Sequence, residues 1–355
     1  MALVSIIVPV YRVEHYIQRC LGSVMAQEDV IIDIECIVVD DCSPDKSIDI
    51  IHQMLDNYKG SIKFVLLRHE CNRGLSAARN TGLINARGDY VFFLDSDDYL
   101  MPNCFQYFLT NLCVYPDADV VAGNVLNCKG GNSLIHHIQE PWYLNDCNVF
   151  FPLMLRHQIY LYAWNKMIRR ELLIDNHIYF EEGILYEDQC WSYELFSKIS
   201  SILLLPQVTY VYEFNPNSIV NTTFTVGNAN KVIWSYTVSM NKILDNPPSP
   251  FKYEKNIMVD YLLYVTNFLM NGVDVLSRFD VSKKNVRAFR LLRLRLLSRS
   301  LGYGRLLLSC FFMILFPPLY YLQRFAAFRH HYYDIEMIIN RISHLTDFLH
   351  RKNRI

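Results

Sequence analysis

"DYVFFLDSDDYL", residues 89–100, runs an apolar, aromatic-rich stretch straight into three carboxylates, Asp95, Asp97 and Asp98. The apolar half reads as a buried strand with the acids at its carboxyl end. Three comparable runs precede it: "VSIIVPV" (4–10), "IECIVV" (34–39) and "IKFVLL" (62–67), each followed by a longer stretch of helical period. Ser43-Pro44 has the form of a helix N-cap with Pro at the first helical position, and Gly60 and Gly88 stand where helices should stop. Near-continuous apolar strands alternating with helices predict a parallel sheet covered on both faces, a doubly wound α/β domain.

In such sheets ligands bind beyond the carboxyl ends of the strands. Asp40 and Asp41 follow the second strand and Asp95, Asp97 and Asp98 the fourth, so all five fall on that edge. On extended backbone Asp95 and Asp97 share a face while Ser96 and Asp98 turn from it. Two such carboxylates repel unless a cation sits between them or one stays protonated. A hard divalent ion, Mn²⁺ or Mg²⁺, held by one or two carboxylates plus substrate phosphates, answers that repulsion. The same cluster also reads as a solvated turn that ends a strand and caps the next helix. Competing motifs are missing: "PVYRVEHY" replaces a GxGxxG after the first strand, and there is no GxxxxGK[ST]. An EF-hand counted from Asp95 or Asp97 would place Leu100 or Pro102 where Gly is required.

The bulk numbers agree with a folded enzyme or binding protein. The chain has 355 residues, 52% of them hydrophobic, enough for a large core. With 34 Lys+Arg against 35 Asp+Glu there is no global attraction to nucleic acid, and none is expected as a partner. The ten cysteines form no CxxC pair and no zinc spacing, which predicts reduced, mostly buried thiols in a cytosolic compartment. "MALVSIIVPVYR" lacks the basic and cleavage regions of a signal peptide.

Four blocks, "VSIIVPVYRVEHYIQRCLGSV", "IVVDDCSPDKS", "NRGLSAARNTGL" and "DYVFFLDSDDYL", in that order and spacing, resemble the family 2 glycosyltransferases, inverting enzymes of GT-A fold that use nucleotide-diphospho-sugars. The resemblance is strong over the first 125 residues and looser to about residue 220. It implies an α/β, GT-A type, doubly wound and mainly parallel nucleotide-binding sheet with a helical C-terminal region. Residues 1–125 would form the nucleotide-sugar core, 126–225 the acceptor-binding and catalytic-base part, and 226–355 the helical region.

Carried over by position, Pro9, Tyr11 and Glu14 would line the base pocket, and Asp41 would accept a hydrogen bond from a uracil-like ring, with Asp40 supporting it. Asn72, Gly74, Arg79 and Asn80 match the segment that passes under the nucleotide, with Arg79 toward base or phosphate; taken alone, Arg79 reads equally as a helix-surface charge. Asp95 would touch the ribose or a metal-bound water, with Ser96 beside the donor, and Asp97 would bind Mn²⁺ or Mg²⁺ directly. "AWNKMIRRELL" (163–173) and "FEEGILYEDQCWSYELF" (180–196) resemble later family blocks. They imply Asp188 as general base, Glu187 orienting it or bonding the acceptor, and Trp164, Asn165 and Lys166 on the acceptor side. Without the resemblance, Glu187 and Asp188 are two acids favoured by a helix dipole.

In "YVYEFNPNSIV" Glu213 stands about where the family often carries Arg, a departure for which Lys166 or another cation would compensate unless the loop is reorganised, so Glu213 is left without a role. No QxxRW signature of processive synthases is present, which predicts one sugar added per encounter. The implied reaction joins a nucleotide-sugar, UDP-linked, to a glycan or lipid-linked acceptor in surface-polysaccharide synthesis. A metal-dependent nucleotidyl- or phosphotransferase and an inactive nucleotide-sugar-binding module are the alternatives. Nine Lys/Arg and one acid lie between Arg278 and Arg305, followed by the uncharged "LLLSCFFMILFPPLYYL" (306–322), which Pro317-Pro318 interrupts. That order predicts peripheral contact through 278–322 with the anionic inner face of the cell membrane; a helical packing element or a spanning helix are the other readings.

Overall fold

The computed structural model describes residues 3–27, 33–128, 133–134, 138–159, 161–216, 218, 228–248 and 281–300, with positions 257, 260, 261, 264, 265, 272, 275 and 279. Its first half alternates as the apolar runs require: β1 (Leu3–Val10), α1 (Ile17–Met25), β2 (Asp33–Asp40), α2 (Ser47–Asn57), β3 (Lys63–Arg68), α3 (Leu75–Asn85) and β4 (Tyr90–Phe93). These strands pair in parallel in the order β3-β2-β1-β4, with Ile6 opposite Cys36 and Ile7 opposite Phe93. β1 is buried from Val4 to Val10 because both faces are covered. Val4, Ile6 and Val8 join the core that includes Ile17 and Leu21 of α1, whereas Ile7 meets Gly82 of α3 on the opposite face. β4 repeats this: Phe92 packs edge-on against Phe105, and Phe93 against Phe180 and Trp191.

Past β4 the sheet becomes mixed. β5 (Tyr99–Leu100), α4 (Cys104–Val114), β6 (Val120–Asn127), β7 (Ser133–Leu134), β8 (Trp142–Leu144), α5 (Cys147–Leu155), β9 (Lys166–Arg169), α6 (Arg170–Asp175), α7 (Glu187–Lys198) and β10 (Ile202–Tyr212) follow. β9 lies antiparallel between β4 and β6, and β10 runs parallel to β6. The reversal at β9 decides the site. It brings the amino end of β9 and the carboxyl end of β10 to the rim where β1, β2 and β4 end.

Two local expectations change. Ser43-Pro44 caps no helix: α2 starts at Ser47, and it is Asp45 that accepts from the Ser47 amide, while Ser43 accepts from the Arg12 amide and donates to Asp45. Gly60 and Gly88 lie three residues beyond the last residues of their helices, Asn57 and Asn85. Gly88 is required for another reason, since a Cβ there would sit 2.7 Å from the backbone of Leu3 and Ser5.

The C-terminal region contributes the helices Ala229–Asp245 and Lys283–Ser300. Residues Met1–Leu292 form one compact unit and Arg293–Ile355 a second. The apolar run 306–322 and the basic residues after 300 lie outside the described residues. Among the described residues, no helix is long and apolar enough to cross a membrane.

Candidate active site

On the rim, Asp41 is buried and organises the turn that follows β3. Its Oδ1 accepts from the Arg73 amide and contacts His69 Nδ1, and its Oδ2 accepts from the Gly74 amide. Gly74 sits at φ 92°, a conformation that favours glycine. Asp40 Oδ1 accepts from the Ser43 amide, and its Oδ2 lies 3.2 Å from Arg68 Nε. Glu14 accepts from the Lys46 amide, Pro9 is buried in β1, and Tyr11 and Asn72 are exposed. Asn80 does not turn to the rim: it is buried, and its amide both donates to and accepts from the Phe180 backbone.

The three acids after β4 do not lie on the extended backbone expected of them: β4 ends at Phe93, and the Asp98 amide donates to the Asp95 carbonyl, so they sit in a turn. Asp98, fully turned inward, accepts from the Tyr210 hydroxyl at 2.7 Å and from the Glu213 amide at 2.8 Å, tying β10 to β4. Burial, and then Asp97 and Asp95, push its carboxyl well up. Asp97 accepts from Asn215 Nδ2, and burial followed by Asp95 raises it too. Ser96 is buried between them. Asp95 is partly exposed and receives Arg79 Nη2 at 2.6 Å. Asp95 and Asp97 are thus neighbouring oxygen donors of like charge, which fits a hard cation that completes its shell with water and phosphate. Among the described residues, no group of three His, Cys, Asp or Glu gathers into a cage.

Arg79 is not a surface charge. It is 2% exposed, with its guanidinium over Phe180 and its Nη1 donating to Glu187 at 2.7 Å while Nη2 holds Asp95. Burial alone would lower its pKa, yet Asp95 and Glu187 more than offset this, so the guanidinium stays charged. One side chain therefore joins Asp95, beyond the end of β4, to the acidic start of α7. Asp188, beside Glu187 and partly exposed, is pushed up to about 7 by burial and then by Glu187, with Arg79 and Lys166 opposing. Burial lowers the Lys166 ammonium to about 7, Asp188 opposing, and Lys166 donates to the Tyr162 carbonyl.

Trp164, Asn165 and Lys166, expected on the acceptor side, are all buried. Asn165 donates to the Gly123 carbonyl and accepts from Thr209. Trp164 is sandwiched: Tyr162 stacks on it at 4.6 Å, and Tyr210 and Tyr212 at 4.7 Å and 5.8 Å. The departure at Glu213 also finds its partner, which is Arg19 at 2.8 Å and not Lys166. The sequence reading missed the Arg79 bridge, Asn215 and the tyrosines; Tyr210-x-Tyr212 alternates with period two on β10, the one signal that aligns a pair of them on one face, while Tyr162 and Trp164 lie in the bend before β9.

A parallel nucleotide-type half-sheet, an antiparallel strand inserted beside β4 and acids gathered at the shared rim define a GT-A glycosyltransferase fold. Residues 1–349 of TarS from Staphylococcus aureus, solved with UDP-GlcNAc, share it with a TM-score of 0.62 and 21% identity, over 84% of this chain and 87% of that one. The chain belongs to glycosyl transferase family 2, whose profile matches residues 5–180. An uncharacterized glycosyltransferase of Haemophilus influenzae is 32% identical over 210 residues, 56% of this chain and 82% of the relative. EpsJ of Bacillus subtilis, an uncharacterized glycosyltransferase, is 32% identical over 227 residues, 62% of this chain, and the chain spans only 64% of EpsJ.

Proposed function

We propose that this protein is an inverting glycosyltransferase that moves one sugar from a UDP-linked donor to a hydroxyl of a glycan or lipid-linked acceptor in surface-polysaccharide synthesis. The observation that carries this reading is the Arg79 bridge, which places the Asp95/Asp97 pair and the Glu187/Asp188 pair on either side of one buried cation. The UDP-GlcNAc complex of TarS supports the donor class. The name of TarS, a poly(ribitol-phosphate) β-N-acetylglucosaminyltransferase, supports an envelope polymer as acceptor class.

Asp97 and Asp95 would hold Mn²⁺ or Mg²⁺, and when bound there such an ion supplies positive charge against the departing diphosphate. Asp41 fixes the turn 69–74, and Tyr11, Asn72 and Gly74 would face the donor at its base end. Asp188, poised near neutrality, takes the acceptor proton. The acceptor oxygen bonds to the anomeric carbon as the bond from that carbon to the phosphate oxygen breaks, and the electron pair leaves with the diphosphate. One displacement inverts the centre. Residues 1–125 serve the donor and 126–225 the acceptor and base, while 278–322 gives peripheral contact with the membrane.

The test separates the two acid pairs. Asp188→Asn should cut turnover by ~10²–10⁴-fold and leave donor affinity in place. Asp97→Ala should weaken Mn²⁺-dependent binding of UDP-sugars, read by calorimetry. Equal loss of donor binding in both variants refutes the division of labour.

A further inference from the structure

Tyr162, among the exposed aromatic side chains of the described residues, closes an ordered column. Its ring stacks on Trp164 with an interplanar angle of 4°, and Trp164 continues onto Tyr210 at 12° and Tyr212 at 14°. Aromatic pairs usually prefer edge or offset contacts, so near-parallel rings in succession fix the plane of the outermost one. Tyr162 is 40% exposed although Trp164, itself buried, covers its inner face. With Trp164 against its inner face, only the outer face and the edge of the ring could meet a ligand.

The position of that face is set by α7. Ser192 donates to the Leu161 carbonyl, and Lys166 donates to the carbonyl of Tyr162 itself. Ser192 lies four residues after Asp188, on the same side of the helix. The backbone leading into Tyr162 is thus held beside the side of α7 that carries Asp188. The hydroxyl of Tyr162 agrees: burial, and then the charge of Asp188, raise it.

We propose that the outer face of Tyr162 is an acceptor platform on which a pyranose ring of the acceptor stacks, presenting a hydroxyl to Asp188. The inference rests on the transfer reading above and names its acceptor class. A pyranose offers a flat face of C–H groups and carries its hydroxyls around the edge. Stacked on a fixed aromatic plane, it keeps those hydroxyls free to be aimed. An acyclic polyol or a bare lipid phosphate has no such face. The column beneath pre-organises the platform, because Tyr162 loses little freedom on binding when its ring is already held.

The test uses saturation-transfer NMR on the full chain with methyl β-glucopyranoside, methyl β-galactopyranoside and methyl β-N-acetylglucosaminide as probes, and ribitol as the acyclic control. In the unaltered protein, ring C–H protons of at least one pyranoside should receive saturation and ribitol none. Tyr162→Phe should keep the signal, and Tyr162→Ala should weaken binding by about tenfold or more. Tyr162→Leu, which keeps bulk without a ring, repeats the Ala result if Ala impairs folding. Pyranoside binding that is absent, or equal in the Leu variant, overturns the platform, as does Tyr162-dependent binding of ribitol. The two readings fail separately. Tyr162-dependent pyranoside binding without transfer from any UDP-sugar sinks the transfer reading and upholds the platform, whereas transfer with Tyr162-independent binding does the reverse.

Discussion

Asp188 and Lys166 are drawn toward the same acidity from opposite sides, the carboxyl raised to about 7 by burial and Glu187, the ammonium lowered to about 7 by burial. A base with that value is half-available at neutrality, so kcat/KM should climb through about pH 7 as Asp188 loses its proton. Removing the Lys166 charge, as in Lys166→Met, should move this ascending limb to higher pH, because Lys166 opposes the rise of Asp188. A pH–rate profile of the two proteins checks both statements, and a limb that stays put denies Lys166 its role. Stability follows with a definite sign. The folded acidity lies above the unfolded carboxylate value of about 3.9, so the folded state binds the extra proton and stability falls as pH rises from about 4 to about 7. Asp188→Asn should then stabilise the protein at pH 8 and not at pH 4. The gain, with solvent screening of a partly exposed group, should be on the order of 1 kcal/mol by urea unfolding.

β4 shows how one element sets the register of the rest. Its entry is threaded against β1: the Gly88 amide donates to Ser5 Oγ, the Asp89 amide to the Leu3 carbonyl, and a Cβ on Gly88 would press on the Leu3 and Ser5 backbone at 2.7 Å. Strand backbone cannot step aside as a flexible side chain can. Gly88→Ala should therefore cost about 1–3 kcal/mol, while Gly22→Ala in α1, where nothing lies within 4 Å of the added carbon, should be neutral or stabilising by up to about 1 kcal/mol. Paired urea titrations decide this, and equal midpoints for the two variants would refute it. The same strand marks how far the sequence carries. β1 to β4 are legible because each is a near-continuous apolar run bounded by polar turns, and the acids after β2 and β4 then fall on the rim by topology alone. β9 is only the four residues Lys166–Arg169 and β5 only Tyr99–Leu100, too short for a period to register, so the antiparallel insertion is silent. Ser43-Pro44 misleads because its cap pattern is real chemistry taken over by Asp45, two residues nearer the helix.

What ties the molecule into one machine is a contact no local pattern announces. Arg79 reaches Glu187, 108 residues away, and Asp95, 16 away, through one guanidinium. Each partner alone is an ordinary acid on its element; only the fold makes them a triad, so Arg79 reads from sequence as a helix-surface charge. Its removal leaves the Glu187 carboxylate, 8% exposed, without its cation, and Asp95, 23% exposed, partly so. Breaking a buried pair from one side costs about 3–5 kcal/mol, and water reaching Asp95 places Arg79→Met toward the lower figure. Glu187→Gln placed on top removes the orphaned charge, so the double variant should recover part of that loss, with a coupling between the two positions of about 0.5–3 kcal/mol. Urea unfolding of the four proteins in the cycle measures it. Single-variant losses that simply add, within about 0.3–0.5 kcal/mol, would mean that α3, β4 and α7 are held together by packing alone and that the bridge couples nothing.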